Sequence, residues 1–399
     1  MIRNLRHLRV FLEVLDTTSV TRAAEACHLS QPAVTQAVAK LEAEAGLPLF
    51  RHMPQGLFAT EAGLALGARV RRALGRLDAA AAALSPRLAL TTTGSQLRAL
   101  IAVREAENFT LAARRLGLSQ PSVHRAVSDL ERETGRPLFE RTAHGLIATK
   151  ACRTLADAAR LAFAELDQAA MELAEMAGRE VGRIVVGSMP LARSLLLPQA
   201  IAAFRQTRPL LTIRVEEGPY DDLLGALRRG ETDVLIGALR LPSPIADIRQ
   251  APLFEDDLVI VARPGHPLAG RGGLTLAEVA EFPFVVNRPG SPIRSLFDAQ
   301  FADQAIPAPR SLIESGSLIL MRQLLEQSDH LGCASRLQVA AEIAHGHLVP
   351  LPLLLPGTTR PIGLTTRIDW VPTASQQAFL DCVAQAARAR TVRPYSQIQ

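Results

Sequence analysis

Ser30, Gln31, Thr35 and Gln36 lie within one short stretch, and Ser119, Gln120, Ser122, His124 and Arg125 occupy the corresponding stretch 89 positions later. These side-chain types suit hydrogen bonding to nucleic-acid bases. A glutamine carboxamide offers the donor and acceptor that match adenine N6 and N7, and an arginine offers two parallel N–H groups to guanine O6 and N7. Hydroxyls bond a base or a phosphate. Lys40, Arg51 and Arg141 add cations for phosphate oxygens, which position a protein without reading sequence. Such groups read a duplex only when an element projects them together. Without that, they are the solvated polar face of an amphipathic helix.

The positioning elements are written twice. Residues 29–50 read LSQPAVTQAVAKLEAEAGLPLF and residues 118–139 read LSQPSVHRAVSDLERETGRPLF, identical at 14 of 22 positions without a gap. Ala23–Ala24 aligns with Ala112–Ala113, Gly56 with Gly145 and Thr60 with Thr149. Leu8, Phe11, Leu12 and Leu15 repeat at helical spacing. Ser19 can cap a short helix carrying the small pair Ala23–Ala24, which lets a neighbour approach closely. Ser30 can cap the next helix, with Pro32 in its first turn, where a missing N–H costs little. Val34, Val38 and Leu41 form its buried face, and Gly46 stops it. Ser119 and Pro121 repeat that start. HMPQGLFAT then reads as a hairpin. Two helices joined by a tight turn, the second with an exposed polar face, are the helix-turn-helix plan.

The pattern resembles the winged helix-turn-helix of LysR-type transcriptional regulators: an Ala-Ala helix, LSQP opening the reading helix, then LE, Gly, PLF, a Gly-containing wing and Thr. The resemblance implies DNA binding, a linker helix after the head and a two-lobed effector domain. The family normally carries one head per chain, so two copies depart from it. The family places Arg two residues after the PLF Phe. The second copy keeps it as Arg141, whereas the first has His52 there and Arg51 one step early. On that ground the second copy is expected to be the principal reader.

A long helix follows each copy. Leu66, Val70, Ala73, Leu77, Ala80 and Leu84 step by four and three, as do Leu155, Ala159, Ala162, Leu166, Ala169, Leu173 and Met176. Such a seam needs a partner. It predicts a homodimer or homotetramer joined through Leu155, Ala162, Leu166 and Leu173; packing of each stripe on its own domain is the alternative. Arginines on the first helix and carboxylates on the second predict that the two helices lie together, within or between chains. Ser95 is the expected cap of the second copy.

From Gly182 strands alternate with helices, which predicts α/β lobes with largely parallel sheets. The expected organisation is a head at 1–62, linker and joint at 63–92, a second head at 93–151, a dimerisation helix at 152–180 and an effector domain at 181–399. Lobe I spans about 181–265 and 348–399, and lobe II about 266–347. The fold class is multidomain α plus α/β: two tandem winged helix-turn-helix domains, then a periplasmic-binding-protein-like pair of lobes. Ligands in such sheets bind beyond strand carboxyl ends. That rule selects Ser188, Met189, Gly237, Ala238, Arg288, Ser291, Ser315 and Gly316. Arg288 beside serines at helix starts suggests a small carboxylate as the small-molecule effector. In the alternative, Arg288 joins the lobes and the serines only cap helices.

Bulk properties exclude other classes. Net charge is +5, with +4 of it in residues 1–90, which is compatible with double-stranded DNA as partner. The four cysteines form no CxxC pair, so neither a disulfide framework nor a zinc site is expected. No apolar run approaches the roughly 18–20 residues of a membrane span, and the start lacks a signal-peptide pattern, so a cytoplasmic protein is expected. His266, His345 and His347 stand apart from any metal-ligand cluster, and no GxGxxG, GxxxxGKS or HExxH occurs. No cofactor or metal is expected. A DNA-tethered enzyme and an exported solute-binding protein are the rival readings; the missing motifs count against the first and the heads against the second.

Overall fold

The 89-residue offset is visible in the backbone of the computed structural model, which describes residues 4–54, 56–143 and 145–391. The first copy folds as α1 (Leu5–Thr17), α2 (Val20–Ala26) and α3 (Gln31–Ala45), then the hairpin strands β1 (Phe50–Met53) and β2 (Gly56–Ala59). A long α4 (Glu61–Ala82) and a single turn, α5 (Leu88–Thr91), follow. The second copy repeats this as α6 (Gly94–Ala106), α7 (Phe109–Leu116), α8 (Gln120–Thr134), β3 (Phe139–Thr142), β4 (Gly145–Ala148) and the long α9 (Lys150–Met176).

The same residues start and stop these elements. The Oγ1 of Thr60 accepts from Gly63 N at 3.1 Å and that of Thr149 from Cys152 N at 3.2 Å, capping α4 and α9. Gly46 and Gly135 end α3 and α8 in the left-handed region, at φ +71° and +64°. The cores match position for position. Leu8, Phe11, Val14, Ala23, Val34, Val38 and Leu41 are buried in the first copy, and Leu97, Leu100, Val103, Ala112, Val123, Val127 and Leu130 in the second. Two capping expectations change. Ser30 stands at the start of α3 without a side-chain cap bond. Thr93, not Ser95, caps α6, because Gln96 three residues on closes a reciprocal capping box with it.

α4 and α9 pack along each other and run antiparallel. Arg72 pairs with Glu165, whereas Arg69, one turn earlier, bonds Glu165, Gln168 and Glu172. Leu66, Val70, Ala73 and Leu77 of α4 and Leu155, Ala159, Ala162, Leu166, Ala169 and Leu173 of α9 are all buried in one continuous core. The dimerisation expectation for Leu155, Ala162, Leu166 and Leu173 is therefore corrected. Their partner helix belongs to the same chain, because the duplication supplies a second apolar stripe in cis.

The chain divides into two compact units, one reaching to Arg183 with two short returns and the other comprising the remainder. The second unit contains β5 (Arg183–Ser188), a π turn (Ala192–Leu196) leading into α10 (Leu197–Thr207), β6 (Thr212–Glu217), α11 (Tyr220–Arg228), β7 (Val234–Ala238) and β8 (Ile248–Asp256). Next come β9 (Leu258–Ala262), α12 (Leu276–Ala280), β10 (Phe284–Val286), α13 (Pro292–Asp303), β11 (Leu312–Glu314), α14 (Leu318–Glu326) and β12 (Leu331–Ser335). The last elements are α15 (Ala340–Ala344), β13 (Val349–Pro350), β14 (Arg360–Arg367) and α16 (Ala374–Thr391). Two five-stranded sheets form, in the orders β6-β5-β7-β14-β8 and β11-β10-β12-β9-β13.

Both sheets are mixed rather than largely parallel. β5 and β7 run parallel, as do β10, β11 and β12, but β14 is antiparallel to β7 and β8, and β9 to β12 and β13. The antiparallel strands are the crossing segments, which enter each lobe from the other. The first crossing falls at Asp257 between β8 and β9, earlier than the sequence boundary near 265. The all-buried LVIVA run of β9 belongs to the lobe II sheet. On the return, β13 still pairs with β9, so lobe II ends after Pro350 rather than at 347.

Candidate nucleic-acid interface and effector cavity

α3 and α8 are each braced by an element of the repeated sequence. The LE pair places Glu42 and Glu131 on the inner side of α3 and α8. Glu42 Oε1 accepts from the backbone N–H groups of Leu49 (2.8 Å) and Phe50 (3.2 Å), and Glu131 Oε1 from those of Leu138 (2.8 Å) and Phe139 (3.3 Å). A carboxylate holding two backbone donors fixes where the hairpin leaves the helix. The Thr60 and Thr149 hydroxyls donate to the carbonyls of Pro48 and Pro137 and close the same turn.

The outward faces carry the candidate DNA contacts. Ser30, Gln31, Pro32, Thr35, Gln36, Lys40 and Arg51 are exposed, as are Ser119, Gln120, Pro121, Ser122, His124, Arg125 and Arg141. Their local bonding differs. Ser30 makes no side-chain cap bond, whereas Ser119 Oγ accepts from Ser122 N at 3.3 Å and lies 2.8 Å from Ser122 Oγ. Thr35 Oγ1 donates back to Gln31 O. In the second copy the Gln120 carboxamide is tied to Thr110 Oγ1 of α7 at 3.1 Å, and the His124 ring rests beside Phe109 at 5.1 Å and near Ser128 Oγ.

The second unit holds a cavity of about 60 Å³ between its lobes. Met189, Ala238 and Ser291 line it, as the strand-end rule expected, and Asn287 joins them. Ser291 also caps α13, accepting from Arg294 N at 3.2 Å. The other five candidates lie elsewhere. Arg288 is exposed and outside the lining. Ser188 is fully buried. Gly237 is covered by Met189, whose Cγ would stand 2.3 Å from an added Cβ. Ser315, half-buried, and Gly316, exposed, sit at the approach to α14, where Ser315 Oγ accepts from Ser317 N.

Among the lining residues that escaped the sequence reading are Tyr220, Arg240 and Arg360. The Arg240 guanidinium lies 3.7 Å above the Tyr220 ring. Arg360 is buried and donates from Nη2 to Asp256 Oδ2 at 3.0 Å, while its Nε and Nη1 have no partner among the described residues. The Tyr220 hydroxyl and Arg240 Nε are likewise buried and unpartnered. Burial pushes the Asp256 carboxyl up and the Arg360 guanidinium down. An arginine nonetheless stays protonated in a protein, so its unfilled donors favour an anionic guest. The strand-end rule missed Arg360 because β14 runs backwards: with Ile362 paired to Ala238, its first residues sit beside the carboxyl end of β7.

A profile for the bacterial regulatory helix-turn-helix protein, lysR family, matches residues 5–64 and again 95–153. The LysR substrate binding domain matches residues 177–388. The HTH-type transcriptional regulator GalR of Pseudomonas putida is 38% identical over 390 residues, covering 96% of this chain and 97% of that protein, an alignment too long to leave out either copy. The uncharacterized HTH-type transcriptional regulator YdcI of Escherichia coli is 30% identical over 290 residues, covering 73% of this chain and 94% of that one. Two solved structures share the fold. Full-length LysG from Corynebacterium glutamicum with bound effector Arg has a TM-score of 0.53 at 21% identity, covering 74% of this chain and 97% of LysG. Full-length CbnR complexed with its target DNA has a TM-score of 0.52 at 22% identity, covering 73% of this chain and 99% of CbnR. With the substrate-domain profile matching more than half of its residues and a relative aligned along nearly its whole length, the chain belongs to the LysR family, as a DNA-binding transcriptional regulator with an effector-binding domain and not an enzyme.

Proposed function

We propose that both copies are winged helix-turn-helix heads that dock on duplex DNA, and that a small carboxylate held between the lobes controls them. The observation that carries the reading is the same exposed first-turn set, on a helix braced by the same glutamate, occurring twice. Gln31 and Thr35 with Gln36, and Gln120 with His124 and Arg125, touch base edges; Lys40, Arg51 and Arg141 hold phosphates. The heads occupy 1–62 and 93–151, and the effector domain 181–399. Arg360 receives the carboxylate, with Tyr220, Asn287 and Ser291 around it. The effector acts by binding one lobe arrangement more tightly than the other. The protein works in the cytoplasm, and chains associate through surfaces other than the closed α4–α9 seam.

The test titrates the full chain against duplexes from the region upstream of its own gene, with and without a panel of small carboxylates. DNA affinity is expected to fall steeply with salt, as phosphate neutralisation requires. One carboxylate is expected to raise the melting temperature, with Arg360→Gln removing that rise. Absence of DNA binding at low salt sinks the first half. A melting shift that survives Arg360→Gln sinks the second.

A further inference from the structure

The first unit repeats one arrangement twice with the roles of its parts exchanged. α4 and α9 are antiparallel, so each head sits at the start of its own long helix and meets the chain that leaves the other. The end of α3 meets the segment after α9, where Arg179 donates to Ala45 O at 3.1 Å. Leu90 stands one repeat offset of 89 residues before Arg179, in the segment after α4, and α5 there packs on α8. Leu88, Thr91 and Thr92 share a small cleft with Asp129, Leu130 and Glu133 of α8. The two heads are thus related by an approximate two-fold exchange, and a buried network fixes it. Arg69, 2% exposed, is held by Glu165 and Glu172 across the α4–α9 seam. Like-for-like heads on a two-fold axis read palindromes, with half-sites about one DNA turn or a multiple of it apart. Here the heads are unlike. Where the first shows Thr35 and Gln36, the second shows His124 and Arg125.

We infer that one chain is by itself a two-headed reader of a bipartite, non-palindromic site, with one chain engaging both unlike halves. This rests on the reading that both heads bind DNA. α4 has 22 residues, so the antiparallel pair holds the heads at the ends of a strut about 33 Å long, on the scale of a DNA turn. The ratio of chains to bipartite sites is one in any oligomer the protein forms.

The experiment selects sites from a random duplex library with the full chain, then counts chains per recovered duplex by native mass spectrometry. The expected motif has two different halves and takes one chain. The double variant Thr35→His/Gln36→Arg changes two exposed side chains, and far-ultraviolet circular dichroism reports whether it stays folded. It is expected to convert one half toward the sequence of the other, with roughly tenfold weaker binding to the original site. The proposal is overturned by an inverted repeat occupied by two chains, by a lone half-site, or by a motif that the double variant leaves unchanged. Failure to enrich any sequence overturns the DNA-reading assignment and this inference with it.

Discussion

The two copies share a framework and differ in how tightly it is closed. In the first, the hairpin is fastened to the end of α1: Leu57 N donates to Thr18 O at 2.9 Å, and a Cβ on Gly56 would meet that carbonyl at 2.6 Å. In the second, Gly145 faces open space. Phe50 and Leu57 are buried, but their counterparts Phe139 and Leu146 are only half-buried. The start of each linker shows the same contrast. Gly63 lies so close to Leu49 that a Cβ there would stand 2.1 Å from its carbonyl, whereas the matching position holds the buried Cys152. A duplication that keeps its bracing glutamates can let one copy stay tightly packed while the other changes its outer contacts.

The largest expected effect tests whether the heads depend on each other. Arg69→Ala leaves Glu165 buried with Arg72 as its remaining partner, so the cost is expected at about 3 kcal/mol, the low end for breaking a buried ion pair. Urea unfolding of the full chain is expected to shift by that amount. Unfolding of the first copy alone, with the second intact, would show that the seam does not couple them. Next in size is the linker start. Gly63→Ala forces a methyl against a backbone carbonyl, and its cost is expected at the upper end of the roughly 1–3 kcal/mol overpacking range. Cys152→Ala removes one buried sulfur from the core and is expected to cost roughly 0.5–1.5 kcal/mol. Equal costs would erase the packing contrast. Burial also pushes the Cys152 thiol up to about 12, so iodoacetamide at pH 8 is expected to leave it unmodified in the folded chain.

Much of this was legible in the residues, because the strongest signals were local. The repeat, the helices and the apolar stripes follow from spacing and side-chain type, and so do the caps Ser19 and Ser119, whereas Ser30 makes no cap bond and Thr93 stands in for Ser95. The partner of the α4 stripe was harder, since periodicity shows that a seam exists but not which chain supplies the other half. The cavity between the lobes was the least legible. Met189, Ala238 and Ser291 follow from strand and helix ends, but Arg360 enters from a strand that pairs antiparallel after about a hundred residues of intervening lobe. Arg288 misled because a conspicuous cation beside serines satisfies a local rule, while the structure leaves it in solvent. The glutamate clamps were read as a motif only; their work is done across a turn of seven residues.

The exposed faces of α3 and α8 give a smaller contrast. Arg125→Ala is expected to weaken binding to a selected site by roughly 1–3 kcal/mol if its two N–H groups meet a guanine. Gln36→Ala, at the matching place, is expected to weaken it less, because a neutral amide contributes nothing to counterion release. Fluorescence anisotropy against duplexes with that guanine replaced separates the two: Arg125→Ala should lose the preference at that position and Gln36→Ala should keep it. A loss of binding from Gln36→Ala alone would make the first head the principal reader.

The smallest expected effect is pH-dependent and confined to the first head. His7 of α1 corresponds to Gln96 of α6, which does not titrate. Burial holds the His7 imidazole below its ordinary pKa, Lys40 and Arg6 push it the same way, and Glu44 opposes them. Its buried Nδ1 has no hydrogen-bond partner among the described residues. The sign follows from linkage. A histidine whose folded value lies below its unfolded 6.5 contributes stability above pH 6.5 and loses it as pH falls from there toward the folded value. Amide exchange in α1 should therefore quicken between pH 7.5 and 5.5, after correction for the intrinsic rate, while α6 keeps its protection. His7→Gln should make α1 behave like α6. Equal acid response of α1 and α6 in the wild-type chain would show that the imidazole is not what distinguishes them.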